Sequence, residues 1–176
     1  MKSFRYGRCL TLLMCLQCSF FSSIVYGAKA PQLHKEIDLR AELTGKNLKN
    51  MSDDELYVEF LSQYQRHDRL GMKRAMDTLL KKYRTSPHTD NAIYIMGYSA
   101  LEKKQFAEAL NHFQFLLKHY PASNKAVSAE FAKGIAYKNM KLKSLAQKSF
   151  MSVRKKYPGS PESFRAESEL KLLVRR

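Results

Sequence analysis

Five histidines, three cysteines and one short run of acids are the side chains of this sequence with chemistry to offer. His34, His67, His88, His112 and His119 include no pair three or four residues apart, the helical spacing that closes a zinc site. His112 and His119 stand two turns apart on one helix face and read as surface residues. Asp53, Asp54 and Glu55 follow Ser52 directly, so their positions are explained by helix capping and by attraction to the positive end of a helix dipole. The glycines are scattered, with no phosphate-cradling loop and no strand-to-helix nucleophile elbow. We therefore expect no enzyme activity, no metal and no cofactor.

Cys9, Cys15 and Cys18 all lie within residues 1–27, MKSFRYGRCLTLLMCLQCSFFSSIVYG. Lys2, Arg5 and Arg8 form a positive start without an acid, and an apolar run extends from Cys9 to about Val25. Val25-Tyr26-Gly27 then supplies small-residue positions before Ala28. This layout predicts a secretory signal peptide over residues 1–27, cut before Ala28. The alternative, an uncleaved anchor, fits less well, because Gln17, Ser19, Ser22 and Ser23 interrupt a run already short of the roughly 20 apolar residues a span needs. Met14 and Gln17 precede Cys15 and Cys18, where a lipid-modified cysteine would follow a small residue. After cleavage no cysteine remains for a disulfide or for thiol chemistry.

The composition is that of a folded chain: 44% hydrophobic and 27% charged, with only 7 glycines and 5 prolines in 176 residues, which excludes low-complexity and collagen-like classes. Formal charge is +15, and removing Lys2, Arg5 and Arg8 leaves +12. Charge of this sign often marks nucleic-acid binding. An exported protein meets little nucleic acid, so acidic protein faces, anionic lipid or cell-wall polymer are the expected counterparts.

Residues 28–51 read as a polar linker with one short apolar set, Leu33, Ile37, Leu39 and Leu43. From Ser52 the pattern changes to helix after helix, and it repeats. Leu79-Leu80-Lys81-Lys82-Tyr83, Leu116-Leu117-Lys118-His119-Tyr120 and Val153-Arg154-Lys155-Lys156-Tyr157 recur at one interval, 37 residues between successive tyrosines. In the same register Gly97 matches Gly134, Ala109 matches Ala146, Phe113 matches Phe150 and Pro121 matches Pro158. Small residues let two helices of a hairpin approach, an aromatic ring fills the space between them, and proline stops the second helix. An upstream copy is degenerate, with Phe60, Met72, Met76 and Arg84 at the matching offsets.

Ile93-x-x-Met96-Gly97-x-x-Ala100, Ala109-x-x-x-Phe113 and Pro121 resemble the tetratricopeptide repeat. So do Gly134-x-x-Tyr137, Ala146-x-x-x-Phe150 and Pro158, although Glu130 and Lys133 stand where apolar residues are usual. The linkers Tyr120-Pro121-Ala122-Ser123-x-x-Ala126 and Tyr157-Pro158-Gly159-Ser160-x-x-Ser163 are similar to those of periplasmic repeat proteins. The nearest in form are the C-terminal domain of the Tol-Pal-associated cell-division coordinators (the YbgF/CpoB family) and, second, the outer-membrane assembly lipoprotein BamD. The resemblance covers residues 52–175. It implies an all-α, right-handed solenoid of about three helix hairpins with a C-terminal capping helix, and a non-catalytic adaptor in the bacterial cell envelope.

Seven helices are expected near 52–66, 68–84, 89–103, 106–119, 124–139, 142–156 and 161–174. Ser52 with Glu55, Thr89 or Asp90, Ser123, and Ser160 before Pro161 are their expected caps. By likeness to repeat proteins in general, the first helix of each hairpin lines the concave face. That assigns Tyr57, Leu61 and Tyr64, then Tyr94, Tyr98 and Leu101, then Phe131, Ile135 and Lys138 to a partner-binding groove. Asn91, Lys138 and Asn139 would hold a peptide backbone or carboxylate. Tyrosine suits such a surface because it combines contact area with a hydroxyl; the alternative is that some of these rings only pack between repeats. A second candidate surface is basic: Lys103, Lys104, Lys141, Lys143, Lys148, Lys155 and Lys156 would meet anionic lipid or cell-wall polymer. The expected partners are envelope proteins or peptide segments, and the expected location is the periplasm, with the outer membrane as a neighbouring surface.

Overall fold

The computed structural model describes residues 47–174; the expected signal peptide and most of the expected linker lie outside that range. Helix α1, Asp53–Gln65, starts where the sequence sets it. Ser52 Oγ accepts from the Glu55 amide at 3.3 Å, and Glu55 Oε2 accepts from the Ser52 amide at 2.8 Å, a reciprocal capping box. Six more helices follow: α2 (Arg69–Lys82), α3 (Pro87–Glu102), α4 (Phe106–His119), α5 (Ala126–Asn139), α6 (Lys143–Lys156) and α7 (Pro161–Val174). Before them Leu48–Asn50 forms a single 3-10 turn, and Leu48 and Met51 pack on the core. The Tyr83 hydroxyl donates to the Met51 carbonyl at 2.9 Å and fixes this entry.

The helices pair as hairpins, α1 with α2, α3 with α4 and α5 with α6, and α2–α3, α4–α5 and α6–α7 packing joins them in a row. The result is an all-α tetratricopeptide-like solenoid in which each hairpin buries its neighbour's flank. The 37-residue interval governs the backbone as well as the side chains. Tyr83, Tyr120 and Tyr157 each end a second helix, with φ −129°, −132° and −129° and ψ 48°, 56° and 55°. Their amides bond back to Leu79, Leu116 and Val153, and their carbonyls accept from the amides of Ser86, Ser123 and Ser160.

Those serines correct one expectation. Helix α3 begins at Pro87, capped by Ser86, whose Oγ accepts from the His88 amide at 3.1 Å. Thr89 is fully buried and its hydroxyl donates to the Tyr83 carbonyl at 2.6 Å, so it plugs the linker instead of capping the helix. Ser123 accepts from the Lys125 amide, and Ser160 from the Ser163 amide at 3.1 Å.

Within each hairpin the turn also recurs. His67, Lys104 and Lys141 are left-handed, with φ 56°, 59° and 60°. The amides one residue further on, of Asp68, Gln105 and Leu142, bond back to the carbonyls of Gln63, Ala100 and Tyr137. This is a Schellman closure, normally completed by glycine. Here three L-residues accept the strain.

The core alternates small and large. A Cβ on Gly97 would lie 2.7 Å from Phe113 Cε1, and Phe113 and Ala109 are fully buried. The first hairpin reverses the arrangement: Phe60 takes the glycine position, Met76 the aromatic one and Met72 the alanine one, all buried. Its degeneracy is therefore an exchange of volume between two facing helices. Glu130, only 4% exposed, is accommodated by Lys133, whose ammonium lies 2.9 Å from its carboxylate.

Candidate binding cleft

Three first-type helices, α3, α5 and α7, touch one another in sequence and leave a cleft of about 440 Å³ between them. Helix α3 contributes Tyr94, Tyr98 and Leu101. From α5 come Ser128, Phe131, Ala132 and Ile135, and from α7 Glu162 and Arg165. These positions share a face because they recur at helical spacing on helices whose opposite faces are held in the core by Ala92, Ala129 and Ala166, each fully buried.

The floor is aromatic. Tyr94 and Tyr98 stack with ring centroids 6.2 Å apart, and Tyr94 also meets Phe113 at 6.0 Å. Phe131 packs on Phe150 at 5.5 Å, and the Arg165 guanidinium lies 4.5 Å over its outer face. Polar groups stand at the far wall. The Ser128 hydroxyl donates to Glu162 Oε1 at 2.7 Å, and Lys138 pairs with Glu169 at 2.6 Å, so two contacts seal α7 against α5. Burial raises the Tyr94 phenol above its ordinary range, with Tyr98 and Glu162 adding to the rise and a hydrogen bond with Ser128 opposing it.

Of the residues assigned to the groove from sequence, Tyr94, Tyr98, Leu101, Phe131 and Ile135 line this cleft. Tyr98 is the most open, at 42% exposure, whereas Phe131 is almost covered. Tyr57, Leu61 and Tyr64 lie outside it, half-buried against the core, with Tyr57 stacked on His88 at 4.6 Å. Asn91 is half-buried, Lys138 is engaged by Glu169, and Asn139 is exposed at the end of α5; none of the three lines the cleft.

The α7 wall, Glu162 and Arg165, was not assigned from sequence. A signal for it exists: Ala166 falls 37 residues after Ala129 and 74 after Ala92, which makes α7 another first-type helix instead of a plain lid.

The remaining groups with chemistry have local partners. His88 Nε2 lies 2.7 Å from Asp54 Oδ1, tying the start of α3 to the start of α1. Asp53 sits below its ordinary value, chiefly through a hydrogen bond from Ser86. His112 is held low by burial, against the raising influence of Glu108, which also pairs with Arg69. Among the described residues no cluster of three or more metal-ligating side chains is found. No described helix is long and apolar enough to cross a membrane.

A tetratricopeptide-repeat family model matches residues 91–123 and 128–160, two stretches offset by the same 37 residues. They span most of α3–α4 and α5–α6, so these two hairpins are tetratricopeptide repeats. A search of curated proteins finds no match.

Proposed function

We propose that this chain is an exported, non-catalytic adaptor of the bacterial cell envelope that holds an extended segment of a partner protein in the cleft between α3, α5 and α7. The observation carrying this reading is that three alternate helices, α3, α5 and α7, direct aromatic and aliphatic side chains, with one guanidinium and one carboxylate, into a single cleft of about 440 Å³. A space of that size, lined by polar and apolar surface in nearly equal parts, suits one or two partner side chains and the backbone between them. The cleft walls are secured by helix packing and by the Ser128–Glu162 and Lys138–Glu169 contacts, so little order has to be imposed on binding. Tyr98 and Ile135 would carry most of the contact; Arg165 would meet a carboxylate or a carbonyl.

Export rests on the layout of residues 1–27, and the envelope setting on the form of the linkers after Tyr120 and Tyr157. Within that setting the Tol-Pal-associated coordinators offer the first comparison and BamD-like assembly factors the second. The test is a photo-crosslinking residue at Tyr98, with capture from solubilised envelope read by mass spectrometry. A single dominant protein that is lost on Ile135→Asp supports the assignment. Capture that survives Ile135→Asp, or a chain recovered uncleaved from the cytoplasm, refutes it.

A further inference from the structure

Because the left-handed residues His67, Lys104 and Lys141 close equivalent turns, the three hairpin tips fall on one edge of the stack. The first two tips are polar: Arg66-His67-Asp68, then Lys103-Lys104-Gln105. The third reads Met140-Lys141-Leu142-Lys143, with Leu145 one turn later, and Met140, Leu142 and Leu145 are 38%, 41% and 43% exposed.

The change at Leu142 and Leu145 has an internal part. In the preceding step Gln105 and Glu108 hold Arg69; the register puts Phe106 at the Arg69 position, and Leu142 and Leu145 at those of Gln105 and Glu108. Three polar partners have been replaced by three apolar residues. Phe106 is itself half-buried, and the leucines keep about two-fifths of their surface outside.

Among the described residues the lysines divide into those held by carboxylates and those that are not, the second set including Lys81, Lys118, Lys155 and Lys156 as well as the lysines of this edge. Lys73, Lys133, Lys138 and Lys171 each have a carboxylate within salt-bridge distance. Lys103, Lys104, Lys141, Lys143 and Lys148 are exposed, and no ion pair engages any of them among the described residues. Asp68, in the first tip, is occupied as the cap of α2, and Glu102 directly precedes the second tip.

We propose that this edge docks on the surface of an anionic lipid bilayer, with Met140, Leu142 and Leu145 among the headgroups and the lysines against the phosphates. The small size of the apolar set and the charge around it favour a bilayer. Met140, Leu142 and Leu145, each about two-fifths exposed and flanked by Lys141 and Lys143, offer too little dry area for a folded protein to seal. A fluid headgroup layer accepts each apolar tip while the neighbouring lysine extends its ammonium back to the phosphate plane. Charge complementarity supplies the rest, since basic residues close to an anionic surface are attracted within a screening length. This edge shares no residue with the cleft, so the two assignments stand or fall separately.

The chain contains no tryptophan, so a single introduced one reports its own surroundings. Leu142→Trp in the full chain should shift its emission to shorter wavelength with phosphatidylglycerol-containing vesicles and be quenched by brominated lipid. Tyr98→Trp, in the cleft, should stay silent. Adding Lys141→Glu and Lys143→Glu to Leu142→Trp should lower vesicle affinity by at least about tenfold. The proposal is overturned by an absent shift, by equal quenching at both positions, or by affinity unchanged on charge reversal. A soluble polyanion that shifts Leu142→Trp as strongly as vesicles would equally overturn it in favour of polymer binding.

Discussion

Gly134 and Phe150 meet so closely that a methyl group on residue 134 would lie 2.5 Å from Phe150 Cε1 and 2.8 Å from its Cδ1. The ring is fully buried and has no open side toward which to move. Gly134→Ala should therefore destabilise the chain by about 1–3 kcal/mol despite the better helix propensity of alanine. Phe150→Leu in the same chain should recover part of the loss, because it removes the atoms the methyl group strikes. Thermal melts of the two single variants and the double variant measure this, and strict additivity would contradict the contact.

The left-handed turn residues make the opposite prediction. Lys104 and Lys141 hold φ near 60°, where an L-side chain is strained and glycine is not. Lys104→Gly should raise stability by about 0.5–1 kcal/mol in urea unfolding. A loss of stability would mean that the lysine stem contributes packing that outweighs the strain.

Ser160 joins the third hairpin to α7 twice, accepting from the Ser163 amide and donating to the Tyr157 carbonyl at 2.9 Å. Ser160→Ala should cost about 1 kcal/mol. Hydrogen exchange should rise first in residues 161–174 and leave α3 unchanged. Equal protection of α7 in both proteins would deny the serine this role.

His112 gives the chain an acid-sensitive element. Burial is the largest influence on it and lowers its value below 6.5; Glu108 opposes this, and Arg69 and Lys73 add to the lowering. The unfolded chain then binds the proton more readily than the folded one. Stability is complete above pH about 6.5 and declines as pH falls through that value toward the folded one. Denaturation midpoints at neutral and at mildly acidic pH should differ less in His112→Gln than in the parent chain. Identical pH dependence would assign the acid sensitivity to other groups.

How much of this was readable in advance follows the physics of each feature. Helix existence was readable because stacking demands the same side chains at each step: Tyr83, Tyr120 and Tyr157, or Ala109 with Phe113. The capping box at Ser52 was readable because both partners lie within four residues. The turns were not, since glycine or asparagine is the signal for a left-handed residue and these turns use His67, Lys104 and Lys141. The cap of α3 was misassigned to Thr89 or Asp90, although Ser86 lies 37 residues before Ser123. In the cleft, identities along α3 and α5 were accessible from helical spacing. Which hairpins would close around a common space was not, because that depends on the long-range Ser128–Glu162 and Lys138–Glu169 contacts.

The migration of the aromatic ring from Phe113 in the second hairpin to Phe60 in the first limits how this chain can be recombined. A chimera that grafts α1 onto α4 would oppose Phe60 to Phe113, two rings competing for one space. The reciprocal graft, α3 onto α2, would set Gly97 against Met76 and leave a void. In any exchange with the first hairpin, α1 and α2 must therefore move together, and chains that join α1 to α4 or α3 to α2 should not fold; α3 and α5, which present the same glycine to the same ring, are free of this restriction.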